Sequence, residues 1–353
     1  MTSVSRYLLS TLICALPLSG ACAAGTKLVL TPIEVGGNVN VQATSISDKG
    51  LVTAVLYPTG ASAGTGLVID GSNVTTLPPP DSGTNGVYPI QINDDGKVLG
   101  WNGEAPYAIP HLFRYSMKTG SYRPSHGIIL NKTYTNHGAV FPLGENSHND
   151  IFINVIVGLN APVENEYGPI RALQVAPFEG RVSILQSMNN SGVVAGNALE
   201  AESDASQVFV GSGSNFIYLT PPGSQSTTGG YVNDSNNVAG AYTDAAGAQH
   251  GFVYSAGQYT TFDMPESATG ITVTGFNNNG RVVGSYTSTT DSMEHGFIYN
   301  GSTVTSIGSF ATTGLISVEL NKRSDMVLTI NSSRNDESPD YLSYQVSCKG
   351  PGC

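Results

Sequence analysis

Nine side chains in the first half of this 353-residue chain are of types that recognise or transform polar ligands: Trp101, Tyr107, His126, Tyr134, His137, Glu164, Glu166, Tyr167 and Arg171. Trp101 is the only tryptophan. An aromatic face with acids, histidines and an arginine around it can stack a sugar ring and bond its hydroxyls. His126 and His137 together with a glutamate could instead hold a metal ion. Either histidine could also serve as the base of a lyase or hydrolase, with Arg171 or Tyr167 beside it. His148 continues the spacing of these two histidines but belongs to a different kind of connection, so the three do not converge. The chain has no Gly-x-Ser-x-Gly elbow, no His-Glu-x-x-His pair and no phosphate-binding glycine loop. No nucleophile is therefore assigned, and no metal or cofactor is expected.

These residues can meet only if a framework brings them together, and that framework is a repeat. Residues 271–307 read as four short strands, 271–276, 281–286, 295–299 and 302–307, joined by turns at Asn277-Asn278-Asn279-Gly280 and Asn300-Gly301. The position of Asn277 recurs as Ser47, Asn93, Asn146, Asn189, Asn233 and Asn321, at successive separations of 46, 53, 43, 44, 44 and 44 residues. A second landmark follows each anchor at about eighteen residues, as in His111-Leu112-Phe113, His250-Gly251-Phe252 and His295-Gly296-Phe297. The third unit departs, with Arg171-Ala172-Leu173 displaced. Seven units of about four strands predict an all-β, seven-bladed β-propeller. The last unit has three strands of its own, at 315–320, 326–330 and 341–346. The strand 27–33 is expected to supply the fourth and close the ring, which removes two exposed sheet edges.

The turns place Gly or Asn where a tight hairpin requires positive φ, and Asx side chains satisfy backbone donors. Their acids are adjacent rather than alternate, which fits hairpins better than calcium loops. Gly240 and Gly284 are expected to admit the neighbouring blade. The motif histidines His111, His250 and His295 alternate in the repeat with Thr65, Gln207 and Asp340, which points to local hydrogen bonding rather than catalysis.

Two stretches break the repeat: an insertion within 123–139 and a lengthened connection at 160–170. With strands running from centre to rim, these are a fourth-to-first and a second-to-third connection. Both emerge on one propeller face, on adjacent blades, where Trp101 ends a second strand. The nine residues are expected to gather there.

Residues 1–23 read as a secretory signal, with Arg6, an apolar run and Ala21-Cys22-Ala23 as the cleavage site. Lipidation at Cys22 is the lesser alternative. The apolar run is too short to span a membrane, and no later stretch is long enough. The repeat domain then occupies 24–347. Cys348 and Cys353 are expected to form a disulfide that staples the terminal loop 348–353, contributing about 2 kcal/mol. The net charge of −11 argues against nucleic acid and anionic membranes as partners.

The pattern Asn-Asn-x-Gly-x-Val-Val-Gly followed by His-Gly-Phe-x-Tyr, clearest over 233–262 and 277–307, resembles the HAF extracellular repeat family of bacterial exported proteins. The resemblance implies export to the periplasm or beyond, a bacterial source and a propeller-like repeat; it carries no catalytic residues. The expected function is that of a monomeric secreted or cell-surface recognition protein with a glycan or envelope-protein ligand. A carbohydrate-active enzyme and a structural envelope protein are the alternatives.

Overall fold

A computed structural model describes residues 27–58, 61, 63–80, 86–102, 111–123, 138–145, 150–157, 163–169, 174–175, 181–200, 206–310, 316–331 and 341–349. Short apolar runs punctuated by Gly and Asx turns fold as antiparallel meanders. The first sheet is β2 (Val41–Ile46), β3 (Val52–Leu56), β4 (Thr65–Asp70) and β5 (Asn73–Thr76), and β1 (Lys27–Pro32) precedes it. The second is β6 (Val87–Ile92), β7 (Lys97–Asn102), β8 (His111–Ser116) and β9 (Ser121–Arg123). The third is β10 (Gly138–Glu145), β11 (Asp150–Val157), β12 (Val163–Pro169) and β13 (Gln174–Val175). The fourth is β14 (Arg181–Met188), β15 (Val194–Glu200), β16 (Ser206–Ser212) and β17 (Asn215–Leu219). The fifth is β18 (Ser224–Val232), β19 (Val238–Asp244), β20 (Gln249–Ser255) and β21 (Gln258–Phe262). The sixth is β22 (Ala268–Phe276), β23 (Val282–Ser288), β24 (Glu294–Tyr299) and β25 (Val304–Phe310). In the last sheet β26 (Ile316–Leu320), β27 (Met326–Asn331) and β28 (Tyr341–Lys349) are completed by β1, which pairs with β28 from Lys27↔Lys349 to Pro32↔Tyr344.

Apolar side chains on both faces of these sheets form cores between neighbours. Val208, Val210 and Leu219 of the fourth sheet pack with Val232, Val238 and Phe252 of the fifth. Val327 of the last sheet packs with Ala43, Ile46 and Val52 of the first. Polar contacts follow the same path: the Thr329 hydroxyl donates to Ala43 O at 3.0 Å, and the Ser343 hydroxyl donates to Val41 O at 2.7 Å.

Three expectations change. Val163–Pro169 is not a lengthened connection but the third strand itself, paired with β11 from Ile156↔Val163 to Asp150↔Pro169. It was misread because Val-Glu-Asn-Glu-Tyr lacks the Gly-Phe signature of the other units; ladder pairing with the apolar β11 overrides that absence. Secondly, β28 continues to Lys349, so Cys348 lies within a strand, opposite Leu28, rather than in a terminal loop. Cys353 and any disulfide lie outside the described residues. Thirdly, Gly240 and Gly284 admit neighbours from their own sheets. A Cβ at Gly240 would stand 2.8 Å from Thr228 O and from the Phe252 ring, and one at Gly284 would stand 2.0 Å from Thr272 O.

The close approach between sheets falls at Gly230 (φ +143°), where a Cβ would stand 2.9 Å from the backbone N and O of Gly196. Gly230 occupies a bulge that the repeat carries along with its turn. The register slips between Ala43/Ser45, Pro89/Gln91, Pro142/Gly144, Leu185/Ser187, Gly229/Tyr231 and Val273/Gly275. The skipped residue in each case stands three before the anchor. An extra residue there sharpens the strand's twist just ahead of the turn. The last sheet pairs β26 with β27 without a slip.

Candidate functional site

The six described anchor turns meet in one place. Each described anchor side chain first caps its own turn. Asn277 Oδ1 accepts the N–H groups of Asn279 and Arg281, each at 3.0 Å, and Asn189, Asn233 and Asn93 do the same in their turns. Gly50, Gly96, Gly192 and Gly280 supply the positive φ, and Asn236 and Ser324 supply it where glycine is absent. The amide nitrogen then reaches the next sheet: Asn189 Nδ2 donates to Asn233 O (3.0 Å), Asn233 to Asn277 O (3.3 Å), Asn277 to Asn321 O (3.0 Å) and Asn321 to Ser47 O (2.8 Å). Asparagine suits both tasks because one side chain carries an acceptor and a donor.

A second ladder runs one residue on. Asn190 N–H donates to Asp234 Oδ1 (2.9 Å), Asp234 N–H to Asn278 Oδ1 (2.8 Å) and Lys322 N–H to Asp48 Oδ1 (2.7 Å). Burial pushes the Asp234 carboxyl up, but hydrogen bonds from Asn190 and Asn278 outweigh it and hold the group below the usual carboxylate range.

Above and between these ladders lies a cavity of about 470 Å³, lined by turns from six of the sheets. Its lip carries Asp48, Asp94, Asp95 and Asp234, with Lys97, Lys322 and the ladder amides among them. Beneath the lip, Ile46, Ile92, Met188, Val232, Phe276 and Leu320, each one residue before its anchor, form an apolar collar. A polar lip over an apolar collar can bind the hydroxyls of a small ligand and its hydrocarbon face together. Sequence reasoning used the anchors to count units and missed the cavity. The signal lay in the residue after each anchor, where Asp48, Asp94, Asn190, Asp234, Asn278 and Lys322 are all polar.

Of the nine residues singled out from sequence, Trp101 is described: it is the penultimate residue of β7 and does not line the cavity, which β7 touches through Lys97 and Leu99. Its half-buried ring stacks on Tyr88 across the ladder, with centroids 4.0 Å apart and planes at 17°. Glu164, Glu166 and Tyr167 lie on β12, opposite Val155, Ile153 and Phe152. Tyr107, His126, Tyr134, His137 and Arg171 lie outside the described residues.

Two motif histidines are fully engaged near the starts of their strands. His250 Nδ1 meets Asp263 Oδ1 at 2.5 Å, and Nε2 meets Asp244 Oδ2 at 3.4 Å. His295 Nε2 meets Asp291 Oδ2 at 3.1 Å while Nδ1 faces Glu266 Oε1 at 3.8 Å. The hydrogen bond to Asp263, opposed by burial and reinforced by Asp244, raises the His250 pKa. His250 thus bonds carboxylates through both ring nitrogens and His295 through one, which makes them local clamps. Among the described residues no group of three or more His, Cys, Asp and Glu is arranged for a metal ion, and no helix is long and apolar enough to cross a membrane.

No family model and no curated protein matches the chain. Solved structures do. A catalytically inactive virginiamycin B lyase from Staphylococcus aureus, bound to quinupristin, is 12% identical over 91% of this chain and 99% of that one, with a TM-score of 0.55. The β-propeller domain of the Trilobed protease from Pyrococcus furiosus, of open velcro topology, is 10% identical over 76% of this chain and 82% of that one, with a TM-score of 0.50. The fold is a β-propeller. A prolyl endopeptidase is also similar, at 13% identity and a TM-score of 0.52, over 87% of this chain and 47% of that one. At these identities the likeness extends to the fold alone.

Proposed function

We propose that this chain is an exported recognition protein of the HAF-repeat type, a propeller of seven blades closed through β1, which binds a glycan in the axial cavity. The cavity carries the reading. Its volume of about 470 Å³ lies within the usual size range of small-ligand sites. Its amides and carboxylates match hydroxyl groups, and its collar matches the C–H face of a sugar ring. Closure is supported by the β1–β28 ladder and by the Asn321 bond onto Ser47, which leads from the last sheet to the first. Export is supported by the signal-like residues 1–23 and by a surface that draws its solubility from neutral polar groups. The enzyme alternative names His126 and His137, which lie outside the described residues, whereas His250 and His295 stand against carboxylates.

A glycan array with the chain lacking residues 1–23 tests this reading. Binding lost in an Asp95→Ala/Lys97→Ala double variant and kept in Trp101→Ala would locate the ligand in the cavity. The reverse pattern would move the site to the Trp101 end of the propeller. Absence of binding to every glycan would refute the glycan reading and turn the search to envelope-protein ligands.

A further inference from the structure

Six apolar side chains from six sheets form the collar of the axial cavity: Ile46, Ile92, Met188, Val232, Phe276 and Leu320. Each is the last residue of its sheet's first strand, so the repeat sets all of them at matching positions beside the anchor turns. Ile46, Ile92 and Val232 are buried. Met188, Phe276 and Leu320 are half-buried: each packs against core residues and lines the cavity as well. The polar groups of the lining come from the anchors and the residues that follow them, with one exception. Gln91, two residues before Asn93, lines the cavity on the collar's side, and it already has a partner. An apolar ligand group that covers the collar gains the free energy of apolar burial. A hydroxyl placed there gives up its hydration without a new hydrogen bond.

We propose that the axial cavity selects 6-deoxyhexoses, holding the hydroxyls of the sugar at the lip and its methyl group in the collar. This rests on the cavity reading above and names its ligand class. The cavity is polar at its lip and apolar at its collar, so it fits a ligand divided the same way. An ordinary hexose is not divided: it carries hydroxyls on every side, including the hydroxymethyl group at C5. In a 6-deoxyhexose that group is a methyl. It projects from the ring opposite the C2 hydroxyl, so the sugar has a hydroxyl-rich end and a hydrocarbon end. With the methyl in the collar, the hydroxyls meet Asp48, Asp95, Lys97 and the ladder amides, which supply both acceptors and donors. The parent hexose in the same pose would bury its C6 hydroxyl against Met188, Phe276 and Leu320. These offer it nothing beyond the weak thioether acceptor of Met188.

NMR titration of the chain used for the glycan array tests the proposal with two matched pairs of probes, L-rhamnose against L-mannose and 6-deoxy-D-glucose against D-glucose. The members of each pair differ by a single hydroxyl. In a pair that binds, the deoxy sugar is expected to bind about 10- to 100-fold more tightly, the discrimination an apolar pocket exerts against an added hydroxyl. A Met188→Gln/Leu320→Asn double variant, which keeps side-chain size and makes the collar polar, is expected to bring the two members within about threefold of each other. Equal affinity in the unaltered protein, a preference undiminished in the double variant, or binding of neither pair would each overturn the proposal. If the double variant does not fold, nuclear Overhauser contacts on the unaltered protein decide. The sugar methyl is expected to touch the methyl groups of Met188 or Leu320, and contact with neither would overturn the proposal. Hexose binding without a deoxy preference would leave glycan recognition standing and remove this inference; absence of binding to every glycan on the array would remove both.

Discussion

Asn277 is 6% exposed and makes four hydrogen bonds: two accepted from its own turn, at 3.0 Å each, and two donated, to Asn321 O at 3.0 Å and Ser324 Oγ at 3.2 Å. Asn277→Ala removes all four. At a net value of about 1 kcal/mol each, with partners left buried, the expected loss is about 3–4 kcal/mol. Asn277→Ser is the informative companion, because Ser47 already plays this part in the first sheet. Ser47 Oγ accepts from Lys49 N (3.3 Å) and Leu51 N (3.2 Å), so serine can cap the turn with weaker bonds. It is too short to make the bridge to the next sheet. Asn277→Ser should therefore cost about 2 kcal/mol, roughly the two bonds it forfeits. The assay is urea unfolding followed by tyrosine and tryptophan fluorescence, comparing midpoints at equal slope. A loss below about 1 kcal/mol for alanine would refute the ladder as a source of stability. Equal losses for serine and alanine would refute the division between capping and bridging.

Two further outcomes follow from the same structure. Gly230→Ala places a Cβ 2.9 Å from the Gly196 backbone, which cannot rotate away, so the two sheets must part; a loss of about 1–3 kcal/mol is expected in thermal melting. If Gly230→Ala melts with the parent, the sheets are not in contact there. His250 has a raised pKa in the folded state, chiefly from Asp263, so its contribution is fully present below the unfolded value of about 6.5 and is lost as pH rises through the folded value. Asp244, lowered first by the Ala248 N–H, works in the opposite sense and loses its contribution as pH falls through its folded value. NMR titration of the His250 ring should show the raised value, and Asp263→Asn should lower it; an unchanged value in that variant would refute the pairing.

The repeat was legible because a hairpin turn is a local event. Asn277 to Gly280 contain the cap, the positive φ and the polarity that end one strand and begin the next, and the 44-residue period of later units carries the pattern forward. Strand 27–33 could be assigned to the last sheet by the same logic, and β1 is found there. Where a unit lost its landmark the reading failed: Val163–Pro169 looked like a loop because its partner β11, not its own composition, makes it a strand. The bulge before each anchor was invisible for a similar reason, since a skipped residue is defined only by the strand opposite.

The sequence alone determined the all-β class, the turn chemistry, the local role of the motif histidines and the pairing of the two ends, because each depends on neighbours within a few residues or on strand counting. Tertiary structure decided where the chemistry lies. The second hydrogen-bonding task of the anchor asparagines requires a carbonyl 44 residues away, as in Asn277 to Asn321. The cavity likewise requires turns from six sheets, which only folding brings together.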